Sequence, residues 1–215
     1  IDHGISVPSS QLTDLWKFLL KTKGAEESAL RLLNDPTNLL ACAQVFANTA
    51  RLWLAISPSF MRRLVTLLVE TGNTLSQPLP FDAKALLANS IRNLPSKLVN
   101  RYLAAFPIDV KQLAEGDNSP IAAALRAQNY GAISPFFFDA SRHREDEATI
   151  LALPRQASHH GYLEGAAHLL DILLRHSKES HLADKLPLVE AICSGEMPLL
   201  GLFAQKGLIP KSTPK

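Results

Sequence analysis

The stretch PLVEAICSGEMPLLGLFAQKG, residues 187–207, sets Gly195 between two short apolar segments of helical spacing and ends on a second glycine, Gly207. A helix ends readily on a residue with positive φ, where a Cβ is strained and glycine is not. The stretch therefore reads as helix, glycine, helix. If that unit recurs upstream at a fixed spacing, the chain is an array and its function lies on its surface.

It does recur. RRLVTLLVETG (62–72), SKLVNRYLAAF (96–106), GAISPFFFDAS (131–141), EGAAHLLDILL (164–174) and PLLGLFAQKGL (198–208) align as second helices of successive units. With Leu68, Leu103, Phe137, Leu173 and Phe203 as equivalents, the separations are 35, 34, 36 and 30, a degenerate period near 33. Shorter first helices precede them, namely ALLANSIRNL (85–94), PIAAALRAQN (120–129), PRQASHHG (154–161) and PLVEAICSG (187–195). Their alanines and serines allow antiparallel helices to approach closely when each hairpin stacks on the next. Gly161 and Gly195 suit the left-handed end of a first helix, whereas Leu94 and Asn129 stand near that place in two other units.

The units resemble the ankyrin repeat family. In the last one, Pro187, Leu188, Ala191, Gly195, Leu202 and Gly207 fall where the family has its T-P-L-H-x-A start, inter-helix glycine, second-helix leucine and terminal glycine. Ser119, Pro120 and Ala124 repeat the opening, and Gly161, Leu163 and Glu164 match the G-x-L-E between helices. The full T-P-L-H is absent, and the resemblance covers roughly residues 50–210. A stack of helical hairpins of another family is the alternative. The resemblance implies an all-α, ankyrin-like solenoid of about five repeats with an N-terminal helical cap. It also implies a protein partner held on a concave face built from the first helices. Carried onto this chain, that face takes Arg92 and Asn93, Arg126 and Gln128, His159 and His160, and Glu190 and Ser194. Tyr130, Tyr162 and Phe136 are the candidate apolar anchors.

Residues 1–48 fall outside the period and read as a helical cap or divergent first repeat, with helices in SSQLTDLWKFLLKT, EESALRLLN and DPTNLLACAQVFA. The array is expected over 49–210 and a tail over 211–215. Within the array, DASRHREDEATILALP (139–154) reads as a charged insertion, either a solvated loop or polar face of a short helix, or a segment that projects beside the groove and contacts the partner.

Composition removes several function classes. The 215 residues carry a formal charge of +2, and the tight basic pair Arg62 and Arg63 lacks interleaved aromatics, so nucleic acid is not expected. The most apolar run, 39–56, is interrupted by Gln44, Asn48 and Arg51, which argues for a buried helix and against a membrane span. Cys42 and Cys193 lie in apolar helical runs without metal or disulfide spacing and read as core. His160, Glu164 and His168 have the i, i+4, i+8 spacing of a metal face, but Gly161 interrupts the helix and turns them apart. No catalytic motif, phosphate loop, cofactor or metal site is expected, and Phe136, Phe137 and Phe138 read as packing.

The first residue is not Met, so the chain is expected to be a piece of a longer protein. A second function class follows from that: a C-terminal recruiting or regulatory arm of a larger enzyme, such as a bacterial type III effector that modifies host proteins. A self-associating structural domain is the third, against the expectation of a monomer. The compartment expected is the cytoplasm or, for an effector, the host cytoplasm.

Overall fold

A computed structural model describes residues 9–22, 24–49, 56–72, 79–116, 118–133, 147–176, 191–192 and 195–209. Among the described residues the chain is all-helical, with eleven α-helices and no strand. They are α1 (Ser9–Lys21), α2 (Glu26–Leu32), α3 (Pro36–Asn48), α4 (Pro58–Thr71), α5 (Ala83–Ser90) and α6 (Ser96–Ala105). After these come α7 (Val110–Ala114), α8 (Pro120–Arg126), α9 (Glu147–His159), α10 (Leu163–His176) and α11 (Met197–Gln205). Short 3-10 turns follow α5 at Ile91–Asn93 and α8 at Tyr130–Ala132.

The helix starts are written locally. Side chains of Asp35, Ser57, Asp82 and Ser119 accept hydrogen bonds from the backbone N–H groups of Asn38, Phe60, Ala85 and Ala122 at 2.9–3.2 Å. Each satisfies a donor that the first helical turn leaves without a partner. Pro36, Pro58 and Pro120 follow three of these caps, where a missing N–H costs nothing.

The helix ends follow one pattern. The N–H groups of Gln128, Gly161, Gly195 and Gly207 donate to the carbonyls of Leu125, Ser158, Ile192 and Ala204. The next N–H groups, those of Asn129, Tyr162, Glu196 and Leu208, reach back to Ala124, Ala157, Ala191 and Phe203. This paired closure needs a left-handed residue at its centre. The three glycines have φ of 80°, 65° and 69°, and Gln128 has 55°. Gln128, not Asn129, is thus the counterpart of Gly161 and Gly195, at separations of 33 and 34 residues. The α5 unit differs: its helix tightens into the 3-10 turn, and Leu94 is extended with ψ of 131°. Space is open where a Cβ would stand on Gly161 or Gly195, so only the backbone resists a side chain there. Gly161→Ala and Gly195→Ala should each cost about 1 kcal/mol, and Gln128→Gly should gain about 1 kcal/mol. Urea midpoints at unchanged slope measure all three.

Apolar faces set the packing. Helices α1, α3, α5 and α8 lie against one another in sequence, and α4 packs on α6, which packs on the 3-10 turn after α8. The pair α9 and α10 forms a hairpin, with α7 and α11 against it. Trp16, Phe46 and Phe60 are fully buried, with ring centroids 6.4 and 6.2 Å apart along the Trp16–Phe60 and Phe46–Phe60 contacts. Leu68, Leu103, Leu173 and Phe203, four of the five periodic positions, are buried, while Phe137 lies outside the described residues with Phe136 and Phe138. Gly165 marks the closest approach: a Cβ there would stand 2.6 Å from Leu125 Cδ2 and 3.3 Å from the Tyr130 ring. Ion pairs Arg155–Glu196 at 2.7 Å and Lys206–Asp171 at 2.5 Å tie α9 and α10 to the two ends of α11.

One boundary differs from the sequence reading. The first helix expected to start at Pro154 starts at Glu147, so the second half of the charged segment is helical and Pro154 lies inside α9. An internal proline removes one hydrogen bond. Ile150, Leu153 and Ala157, buried at i, i+3 and i+7, carry the helix through it. Residues 139–146 lie outside the described part of the chain. The N-terminal region holds the three expected helices, α1 to α3.

Candidate partner-binding groove

Stacking α3, α5 and α8 leaves a groove of about 720 Å³ across their exposed faces. Its floor is alanine: Ala47 from α3, Ala85 and Ala88 from α5, and Ala123 and Ala127 at α8. Short side chains allow the helices to approach and leave the surface between them recessed. Around the floor stand Asn48, Asn89, Arg92, Asn118, Arg126 and Gln128. The groove is fixed by polar ties beneath it. Asn89 Nδ2 donates to the Phe46 carbonyl at 2.7 Å, and Asn129 Nδ2 donates to Ile91 and Leu94 carbonyls at 2.7 and 2.9 Å.

A second groove of about 520 Å³ lies between α8 and α9. Arg126 borders both grooves, and the second also takes Glu115, Gln156, His160 and Tyr162. Its charge is mixed, whereas no carboxylate is among the described residues that line the first.

The sequence-derived residues divide accordingly. Arg92, Arg126 and Gln128 come together at the first groove, and all three are exposed. His160 and the candidate anchor Tyr162 border the second. Asn93 is half-buried in its 3-10 turn, outside both linings, and His159 is exposed with its ring 5.8 Å from that of His160. Tyr130 turns away from both grooves: it stacks on His168 at 5.4 Å. Glu190, Ser194 and the third anchor, Phe136, lie outside the described residues. Asn48, Asn89 and Asn118 were missed because an uncharged amide near a helix end or in a turn carries no distinguishing pattern.

Gly161 separates His160 from the helix bearing Glu164 and His168, and no group of three metal-ligating side chains occurs among the described residues. Cys42 is fully buried, which pushes its thiol well above its usual range and away from the reactive thiolate. Cys193 lies outside the described residues. No helix among the described residues is long and apolar enough to cross a membrane.

The His168 imidazole titrates below its ordinary range. Burial is the main cause of its lowered pKa, Arg175 adds to the lowering, and Asp171 and the Tyr130 backbone oppose it. Its Nε2 is buried without a hydrogen-bond partner. The unfolded chain therefore binds the proton more readily, so His168 contributes stability above its ordinary value of 6.5 that is lost as pH falls toward the lower folded value. The expected result is a smaller loss of melting temperature between neutral and mildly acidic pH in His168→Leu than in the native chain.

Comparisons with protein-family models, with curated protein sequences and with solved structures return no match.

Proposed function

We propose that this chain is a protein-recognition module, an ankyrin-like stack of about five helical hairpins that holds a partner protein on its first-helix face. Three regularities support the stacked-repeat reading. Left-handed residues close helices at 128, 161 and 195 with the same paired hydrogen bonds. The helices α1, α3, α5 and α8 lie in one row, and α4 and α6 belong to another. Among the described residues five polar caps open helices, three of them followed by proline.

The observation that carries the functional reading is the groove across α3, α5 and α8. Its alanine floor is apolar and recessed, and its rim offers amides and guanidinium groups. A partner segment lying there buries apolar surface and exchanges hydrogen bonds with the rim, the usual division between affinity and specificity. Among the described lining residues no nucleophile stands with a base, which favours binding over catalysis.

The test is affinity capture from a cell lysate with the native chain and with an Arg92→Ala, Arg126→Ala, His160→Ala variant. All three side chains are exposed, so circular dichroism should be unchanged. Loss of the captured protein by at least about tenfold is expected, since central interface side chains each contribute on the order of 1–2 kcal/mol. Equal capture by the folded variant would refute the groove assignment.

A further inference from the structure

We propose that the first groove selects an acidic, extended segment of its partner protein. The inference rests on the recognition reading and adds the chemistry of what is recognised. The decisive feature is a local imbalance of charge. Across the three helices that form the groove, α3 carries no charged residue, α5 with its 3-10 turn carries Lys84 and Arg92, and α8 carries Arg126. Not one carboxylate occurs in those three segments, although the chain holds 20 Asp and Glu against 22 Lys and Arg. Among the described residues that line the groove, the charged side chains, Arg92 and Arg126, are of one sign.

Arg92 and Arg126 border the groove, and both are exposed. Guanidinium groups present a planar fork that matches carboxylate geometry, which favours Glu or Asp side chains over isolated backbone contacts. The rim amides of Asn48, Asn118 and Gln128 supply donors and acceptors for a peptide backbone. The alanine floor admits a chain without bulky side chains toward it, as an extended strand with alternating acidic residues provides. The neighbouring groove lacks this bias because Glu115 offsets Arg126 there. Single-stranded nucleic acid is the other polyanion that such a face could meet. No aromatic side chain is among the described residues that line the first groove, so they offer bases no stacking platform and an acidic protein segment fits better.

The probe is a fluorescein-labelled peptide of alternating Glu and Gly, measured by anisotropy against the same peptide with Gln in place of every Glu. The native chain should bind the Glu peptide at least about tenfold more tightly than the Gln peptide, and added salt should weaken it. Arg126→Glu should reduce binding at least about tenfold, while Arg101→Glu, an exposed change on α6, should leave it unaltered. Equal affinity for both peptides, no binding of either, or undiminished binding by Arg126→Glu would overturn the proposal. So would displacement of the peptide by an equal concentration of oligo(dT). If the acidic peptide fails while the groove variant still loses its captured partner, recognition on this face survives and only its acidic preference is wrong.

Discussion

Phe60→Ala should lower stability by about 3–5 kcal/mol, the cost of removing a buried ring and leaving a space its neighbours only partly fill. Phe60 is fully buried on α4 and meets both Trp16 of α1 and Phe46 of α3. The substitution therefore unseats three helices at once. Because a domain of this kind is held by roughly 5–15 kcal/mol, such a loss approaches the limit of folding at ordinary temperature. Phe18→Ala is the matched control: the same side chain, 66% exposed on α1, should change stability by less than about 0.5 kcal/mol. Urea titrations followed by far-UV circular dichroism separate the two. A Phe60→Ala loss under about 1 kcal/mol would contradict the packing of α1 on α3 and α4.

The second large effect is expected at Asn129. Its amide reaches the carbonyls of Ile91 and Leu94 across 38 and 35 residues of sequence, so it joins the end of α8 to the turn after α5. Ile91 and Leu94 are buried, and water does not readily replace a lost donor there. Asn129→Ala should cost about 2 kcal/mol, the penalty for leaving such acceptors unsatisfied. Asn129→Asp keeps the shape and replaces the donor with an oxygen. It should cost at least as much, which distinguishes a donor from mere packing. If Asp is tolerated as well as Asn, the side chain is not holding the two units together.

How much of this was legible depended on where each residue's partners lie. Gly161 and Gly195 could be read directly, because a left-handed helix end penalises every residue with a Cβ. Gln128 hid the same event, since it adopts φ of 55° without being glycine, and the neighbouring Asn129 drew the assignment instead. The role Asn129 does have left no trace in the pattern: its acceptors are backbone carbonyls of distant residues, and backbone is the same in every sequence. The start of α9 was misplaced because proline is favoured in a first helical turn. Pro154 instead sits inside a helix carried by the buried faces of Ile150, Leu153 and Ala157. The alanines were legible as close-contact residues, but that Ala47, Ala85 and Ala123 share one groove depends on which helices are neighbours. Of the groove residues, Arg92, Arg126 and Gln128 were reached through the ankyrin resemblance, by carrying that family's first-helix face onto matching positions of this chain.

The central claim is that a partner protein lies across α3, α5 and α8. It is tested most directly by site-specific photocrosslinking in lysate, with a benzoylphenylalanine at position 128 and, separately, at position 101 on α6. Gln128 borders the groove and Arg101 is exposed on a helix that contributes nothing to its lining. The account predicts a discrete crosslinked protein from position 128, reduced by the Arg92→Ala, Arg126→Ala, His160→Ala substitutions, and none of that protein from position 101. The same product from position 101, with none from position 128, would contradict it.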